Sequence, residues 1–244
     1  MKQSIFTILE NTALTRDVYR MVLEGDTSAI TAPGQFVNIQ LSGKFLRRPI
    51  SVCDWNETNL TIVYKVVGHG TEQMSEMCAG EKLDILTGLG NGYDLSLAGD
   101  NPVLIGGGVG VPPMYGAAKR LAEMGIKASV ILGFNTASEI FYEEEFKDLG
   151  CDVTVTTVDG SYGVKGFVTN ALPEEYSYFY TCGPEPMLKA VYKATATSGQ
   201  MSFEERMGCG FGACMGCSCK TITGYKRICK EGPVMKKEEI LWEA

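Results

Sequence analysis

Four cysteines near the C-terminal end, Cys209, Cys214, Cys217 and Cys229, stand at the spacing C-x4-C-x2-C-x11-C. That is the plant-type ligand run for a [2Fe–2S] cluster, in which thiolates hold both irons and a tight loop turns its N–H groups toward the sulfides. Gly208, Gly210, Gly212 and Gly216 punctuate the run. Glycine allows close backbone approach and φ > 0, so all four are expected to shape the loop. A structural zinc site with four cysteine ligands is the alternative, although zinc ribbons usually show two C-x2-C pairs and one is present here. Cys219 forms a C-x-C with Cys217 and is expected to be a packed thiol beside the cluster. Cys53, Cys78 and Cys151 lack partners at ligand spacing and read as small buried hydrophobes.

The rest of the composition narrows the setting. With 244 residues, 45% apolar and 21% charged, the chain is long enough for more than one core and is not disordered. A formal charge of −7 disfavours nucleic acid, whose phosphates need a basic surface. There is no long apolar run to cross a membrane and no basic, then apolar, leader at the start. A cytoplasmic, reducing environment is therefore expected, where nine cysteines do not form a disulfide framework.

The first hundred residues read as short strands over 4–10, 18–24, 35–41, 50–53, 60–67 and 82–86. One helix over 71–78, with Thr71 as N-cap, interrupts them. Six strands and one helix suggest a small closed barrel. Beyond residue 99 the rhythm changes. Strands over 103–105, 127–134, 152–158 and 177–182 alternate with helices over 112–124, 139–149 and 185–197, which implies a parallel α/β sheet. From residue 201 the pattern gives way to Gly- and Cys-rich sequence.

Two motifs fall at strand-to-helix junctions of the α/β half. Gly106, Gly107, Gly108 and Gly110 follow a strand and open a helix whose first turn holds Pro112. Bare N–H groups there suit a phosphate, and a plain tight turn is the alternative reading. Cys182, Gly183 and Pro184 end another strand at the same carboxyl edge, where open α/β sheets bind ligands. Cys182 is the candidate catalytic residue, placed to meet a nicotinamide ring; a buried thiol at a turn is the alternative. No basic residue lies between Lys127 and Lys147 to hold a 2′-phosphate, so NAD is expected rather than NADP. In the barrel half, Arg48 can pair with a pyrophosphate and Ser51 can bond a flavin ring edge. Gly70 and Thr71 can present N–H groups and a hydroxyl at a helix start. His69, the one histidine, is expected to be exposed beside that turn.

In this order, R-x-x-S, G-x-G-T, a Gly-rich loop and C-G-P-x-P-M resemble the ferredoxin-reductase superfamily. With the four-cysteine tail, the chain resembles over its whole length the electron-transfer subunits of class 1B dihydroorotate dehydrogenases. The resemblance implies a multi-domain fold. Residues 1–98 would form a six-stranded antiparallel β-barrel for FAD, 99–201 an α/β parallel-sheet NAD domain, and 202–244 a small [2Fe–2S] module. It implies FAD contacts at Arg48, Pro49, Ile50 and Ser51, at Val63, Tyr64 and Lys65, and at Gly70 and Thr71. Ile50 departs from the aromatic usual in the wider superfamily. The implied partner is an FMN-containing dihydroorotate dehydrogenase catalytic subunit in a two-plus-two heterotetramer. Electrons would pass from dihydroorotate at FMN through [2Fe–2S] and FAD to NAD⁺, in pyrimidine biosynthesis. A subunit of an NAD(P)-ferredoxin oxidoreductase, sulfide dehydrogenase or hydrogenase complex shares this architecture, and a non-catalytic NAD- or redox-sensing module is the reading from another class. Met207, Phe211 and Met215 flank the cysteines and could form a docking patch or, equally, a satellite core.

Overall fold

The computed structural model describes residues 1–242; the last two residues of the 202–244 module lie outside them. Six antiparallel strands close a barrel: β1 (Lys2–Ala13), β2 (Val18–Glu24), β3 (Phe36–Gln40), β4 (Arg48–Trp55), β5 (Asn59–Lys65) and β6 (Lys82–Leu89). Their order is β1-β2-β5-β4-β3-β6, with β6 returning to β1. Inward positions such as Phe6, Met21, Val37, Ile39, Ile62 and Ile85 fill the interior. The barrel helix α1 (His69–Ser75) drops Met74 into the same core.

The expected helix start at Thr71 is corrected. The N-cap is Gly68, and Thr71 sits three residues inside. Its Oγ1 reaches back instead of forward, accepting from the N–H groups of Val67 (2.9 Å) and Gly68 (3.3 Å). A hydroxyl at that depth in the first turn satisfies the same orphan donors from the other side.

The second half is a seven-stranded sheet in the order β10-β9-β8-β7-β11-β12-β15. Its members are β7 (Val103–Gly107), β8 (Ser129–Phe134), β9 (Asp152–Thr157), β10 (Val164–Lys165), β11 (Phe179–Cys182), β12 (Gly199–Ser202) and β15 (Val234–Lys236). All pairings are parallel except β12 with β15. Helices α2 (Val111–Glu123), α3 (Glu143–Asp148) and α4 (Glu185–Ala194) connect the strands. The helix expected over 139–149 is shorter, because the backbone turns left-handed at Tyr142 (φ 69°). The gain that offsets this strain is burial of the Phe141 and Tyr142 rings, the latter edge-on to Tyr115 at 5.0 Å.

The barrel and the sheet are joined through α2 lying on β4. Gly116 permits the approach, since a Cβ there would stand 2.6 Å from the Cys53 carbonyl oxygen. Lys119 pairs with Asp54 at 2.5 Å, and the Arg120 guanidinium lies 4.4 Å from the centre of the Trp55 ring. The C-terminal module contributes β15 to the sheet and a hairpin, β13 (Ser218–Thr221) with β14 (Gly224–Arg227). Among the described residues no helix is long and apolar enough to cross a membrane.

Candidate redox site

Of the barrel residues expected to meet a flavin, those on β4 and those at the start of α1 touch. Of the two adjacent arginines, Arg47 is committed to the barrel: it pairs with Asp84 at 2.9 Å and donates to the carbonyls of Asn38 and Asp84. Among the described residues Arg48 donates only to the nearby Leu46 carbonyl, which leaves the rest of its guanidinium for an anion. Gly70 lies directly against it, since a Cβ there would stand 2.1 Å from Arg48 Nε. The R-x-x-S strand and the G-x-G-T turn thus form one surface. His69 is exposed, with Nδ1 3.3 Å from Glu72.

Strand alternation sorts the remaining residues. Ile50 packs against the barrel interior. Pro49 and Ser51 pair across the ladder with Asn38 and Phe36, so the four side chains share the outer face. On β5, Val63 points into the core between barrel and sheet, and Tyr64 into the barrel, where its hydroxyl donates to Asn11 Oδ1 at 2.9 Å. Lys65 pairs with Asp17 at 3.0 Å. The Val63 and Tyr64 side chains are used by the fold.

The two α/β motifs also meet. Gly106 and Cys182 are register partners on β7 and β11. A Cβ on Gly110 would lie 2.1 Å from the Cys182 carbonyl oxygen, and one on Gly107 would lie 2.4 Å from Met187 Sδ. Gly183 packs on the same methionine, and Gly107 also lies against Pro184. Gly108 (φ +52°) has open space where its side chain would be. The result is a bare backbone rim at the start of α2, suited to phosphate oxygens. Burial pushes the Cys182 thiol up to about 12, which outweighs its hydrogen bond with Ser202; the charge of Glu204 pushes the same way. Cys182 is therefore a neutral thiol at the strand end. Glu204 had no signal in the sequence, because it lies 22 residues on and is brought there only by the β11–β12 pairing.

The cysteine run forms two pairs. Cys209 Sγ accepts from the N–H groups of Ala213 (3.2 Å) and Cys214 (3.4 Å), and Cys214 Sγ from that of Cys209 (3.5 Å). Cys217 Sγ accepts from Cys229 N–H at 3.4 Å. The first pair lies toward solvent; the second is buried with Ile228, Phe36, Leu86 and Leu89. Burial raises the Cys209 thiol, but the N–H groups of Phe211, Cys214 and Ala213 outweigh it and hold it at about 6. Burial first, and then the adjacent Cys217, push Cys229 up to about 12. Among the described residues no three His, Cys, Asp or Glu side chains gather around one point as a single ion would require. Two pairs of sulfur donors, each fed by backbone N–H groups, fit a binuclear cluster with two thiolates per iron.

Gly210 (φ +76°) and Gly212 (φ +92°) meet the expectation for the loop glycines by a left-handed backbone, and Gly208 by close approach, since a Cβ there would stand 3.1 Å from Cys214 Sγ. The third left-handed residue is Met215 (φ 60°), while Gly208 and Gly216 are not left-handed. Cys219 lies on β13 and packs against the core around Cys217 and Cys229. Met207 joins that core, whereas Phe211 and Met215 remain about half exposed.

Two parts of the chain match known family models. Residues 204–241 match the iron-sulfur cluster binding domain of dihydroorotate dehydrogenase B, and residues 104–193 match the oxidoreductase NAD-binding domain. The chain is 42% identical to the dihydroorotate dehydrogenase B (NAD(+)) electron transfer subunit of Fusobacterium nucleatum subsp. nucleatum, over 98% of this chain and 99% of that one. It is 41% identical to the corresponding subunit of Geobacillus sp. (strain WCH70), over 99% of each. Among solved structures it superposes with a TM-score of 0.88 on a chain of the NADH-dependent reduced ferredoxin-NADP oxidoreductase studied for flavin-based electron bifurcation. That likeness is 30% identical and covers 97% of this chain and 90% of the other. With an iron–sulfur module, an NAD domain and full-length identity above 40%, the chain belongs to the family of dihydroorotate dehydrogenase B (NAD(+)) electron transfer subunits.

Proposed function

We propose that this chain carries electrons from an FMN-containing dihydroorotate dehydrogenase catalytic subunit, through a [2Fe–2S] cluster and FAD, to NAD⁺, in a two-plus-two heterotetramer. The observation that carries the reading is the junction of three sites. The cluster module packs on the outer face of β3 and β6, beside Pro49 and Ser51 of the flavin strand. Its β15 is bonded to the NAD sheet, with β11 and β12 between it and the strand that leads into the Gly-rich loop. When bound, a flavin supplies the exchange between a two-electron hydride and single electrons, and an iron–sulfur cluster handles the single electrons.

The residues bind and orient. Arg48 neutralises a pyrophosphate, with the Gly70–Thr71 turn at its side. Ser51 aims a hydroxyl at the ring edge from the outer face. Gly106, Gly107, Gly108 and Gly110 present backbone N–H groups to the NAD phosphates. Cys182, Gly183 and Pro184 form the floor under the nicotinamide, where a neutral thiol adds no charge to repel or attract a hydride. No acid–base side chain is needed for these transfers. The test is to express the catalytic subunit with and without this chain. Dihydroorotate-dependent NAD⁺ reduction should appear only with it; equal activity of the catalytic subunit alone would show that the chain is not the conduit. The ferredoxin-reducing architecture is the second reading, favoured by the 0.88 superposition but at lower identity.

Nicotinamide choice gives one prediction. Asn135, at the end of β8, donates from its backbone N–H and its Nδ2 to Glu139 Oε2 at 3.1 and 2.9 Å. A carboxylate held there accepts a ribose 2′-hydroxyl and repels a 2′-phosphate. NADH should reduce the flavin with a second-order rate about tenfold above NADPH, the scale of one surface charge contact. Asn135→Arg should narrow the gap, and equal rates in the wild-type chain would refute the argument.

A second prediction concerns docking. Phe211 and Met215 remain exposed beside the solvent-side pair of cysteines, and with Met207 withdrawn into the core these two carry the patch. Met215→Glu places a charge in that contact and should weaken assembly with the catalytic subunit at least about tenfold, as truncating a central contact does. Unchanged assembly by sedimentation would remove the patch while leaving the conduit intact.

A further inference from the structure

Two asparagines of the barrel hold the cluster module. Asn91 binds its base, donating to the carbonyls of Glu231 (3.1 Å) and Val234 (2.8 Å) and accepting from Val234 N–H (3.0 Å). Asn38 binds its ligand loop: Nδ2 donates to the carbonyl of Cys209 at 3.2 Å. Asn38 is 1% exposed, an unusual place for a carboxamide in the middle of a barrel strand. Among the described residues its Oδ1 is buried without a partner. A carboxamide costs more to bury than an apolar side chain, and the protein contact it makes here is the donation to Cys209.

The position of Asn38 is specific. Its cross-strand partner on β4 is Pro49, and on β6 it is Leu86, which packs in the core with Cys217 and Cys229. Its side chain therefore shares one face with Pro49 and Ser51 while touching a cluster-ligand residue. Arg47 donates to its carbonyl at 3.2 Å and is itself tied to Asp84, so the backbone beneath is fixed. From above, the loop is pressed close: a Cβ on Gly210 would stand 2.3 Å from Asn38 Nδ2.

We propose that Asn38 is a positioning residue for electron transfer, fixing the Cys209 loop at one distance from the flavin face of β4. The proposal rests on the cluster and flavin reading above. Apolar packing around Cys217 and Cys229 anchors the buried side of the loop, but dispersion contacts do not define the register of its exposed side. A single directed hydrogen bond does.

The test uses the whole chain loaded with FAD and iron–sulfur. Asn38→Leu removes the donor at similar volume; Asn38→Asp keeps the shape and sets a carboxylate against the Cys209 carbonyl. Both should keep the NADH-to-flavin rate. Both should release iron to a chelator about fivefold faster, the worth of one net hydrogen bond. The flavin-to-cluster step, followed by stopped flow and by the electron paramagnetic resonance signal, should slow in the same variants, since electron transfer falls with distance between the two groups. Should either barrel variant fail to fold, Gly210→Ala reaches the same contact from the loop. Gly212→Ala controls for left-handed strain, since it meets only the flexible Lys230 side chain. Gly210→Ala must exceed Gly212→Ala in both defects. Equal effects of the two, or wild-type iron release and electron transfer in the Asn38 variants, would overturn the proposal. Zinc in the wild-type chain would remove the cluster reading and this inference with it.

Discussion

Cys214→Ser should leave NADH reducing the flavin at the wild-type rate and should take dihydroorotate-linked NAD⁺ reduction down to the level expected without this chain. The two activities separate because they use different parts of the molecule. On the proposed reading, hydride exchange uses the Gly-rich loop, the Cys182 turn and the β4 face, whereas Cys214 belongs to the pair it forms with Cys209. Cys214 belongs to the solvent-side pair of cysteines and is exposed, so a Ser there leaves the core around Cys217, Cys229 and Ile228 in place. A hydroxyl is a harder and far less acidic donor than a thiol, so it gives up the affinity for iron at little cost in packing. Visible absorbance, labile sulfide and iron content check the loss, with two irons and two sulfides per wild-type chain expected. Cys219→Ser is the matched control. Cys219 lies on β13 and packs against the core outside the two sulfur pairs, so the variant should retain the cluster. Stoichiometric zinc and a colourless wild-type protein would sink the assignment.

How much of this could be read in advance depended on the range of the interaction. The barrel strands carry their own alternation, as in β5, where Leu60, Ile62 and Tyr64 face inward, and the closed barrel is the arrangement expected of them. Strand β3 hides its alternation because both faces are covered: Val37 and Ile39 meet the barrel, Phe36 and Asn38 meet the cluster module. β12 and β15 escaped notice altogether. They are four and three residues long, and they are strands because each pairs with a neighbour far away in sequence, not because of local preference. The break at Tyr142 was equally invisible, since helix propensity favoured continuing and the buried aromatic contacts that opposed it come from α2 and β4. The ligand cysteines were legible from their spacing. Asn38, Glu139 and Glu204 were not, because each acquires its neighbour only through the fold, and polar residues on strands or loops have ordinary surface roles by default.

Gly110→Ala should cut kcat/KM for NADH by about 100-fold while the flavin content and cluster spectrum stay as in wild type. On backbone grounds alone the substitution is harmless. Gly110 has φ −82° and ψ −11°, right-handed values that alanine prefers, and alanine before a helix would ordinarily stabilise by up to ~1 kcal/mol. The obstacle is steric and rigid. The new methyl would lie 2.1 Å from the Cys182 carbonyl oxygen and 2.7 Å from the Gly183 N–H nitrogen, both backbone atoms at the end of a central strand. Neither can rotate away, so the Gly-rich loop and the Cys182 turn must move apart by roughly 1 Å, and a misplacement of that size costs about 100-fold when two groups must be held in line for transfer. Its neighbours set the scale. At Gly107 the methyl meets Met187 Sδ, the far end of a flexible side chain, and at Gly108 it meets nothing, with only the left-handed φ of +52° to oppose it. The order of loss should therefore be Gly110→Ala well above Gly107→Ala and Gly108→Ala. A Gly110→Ala protein with wild-type kcat/KM would show that the contact between loop and turn does not position the nicotinamide.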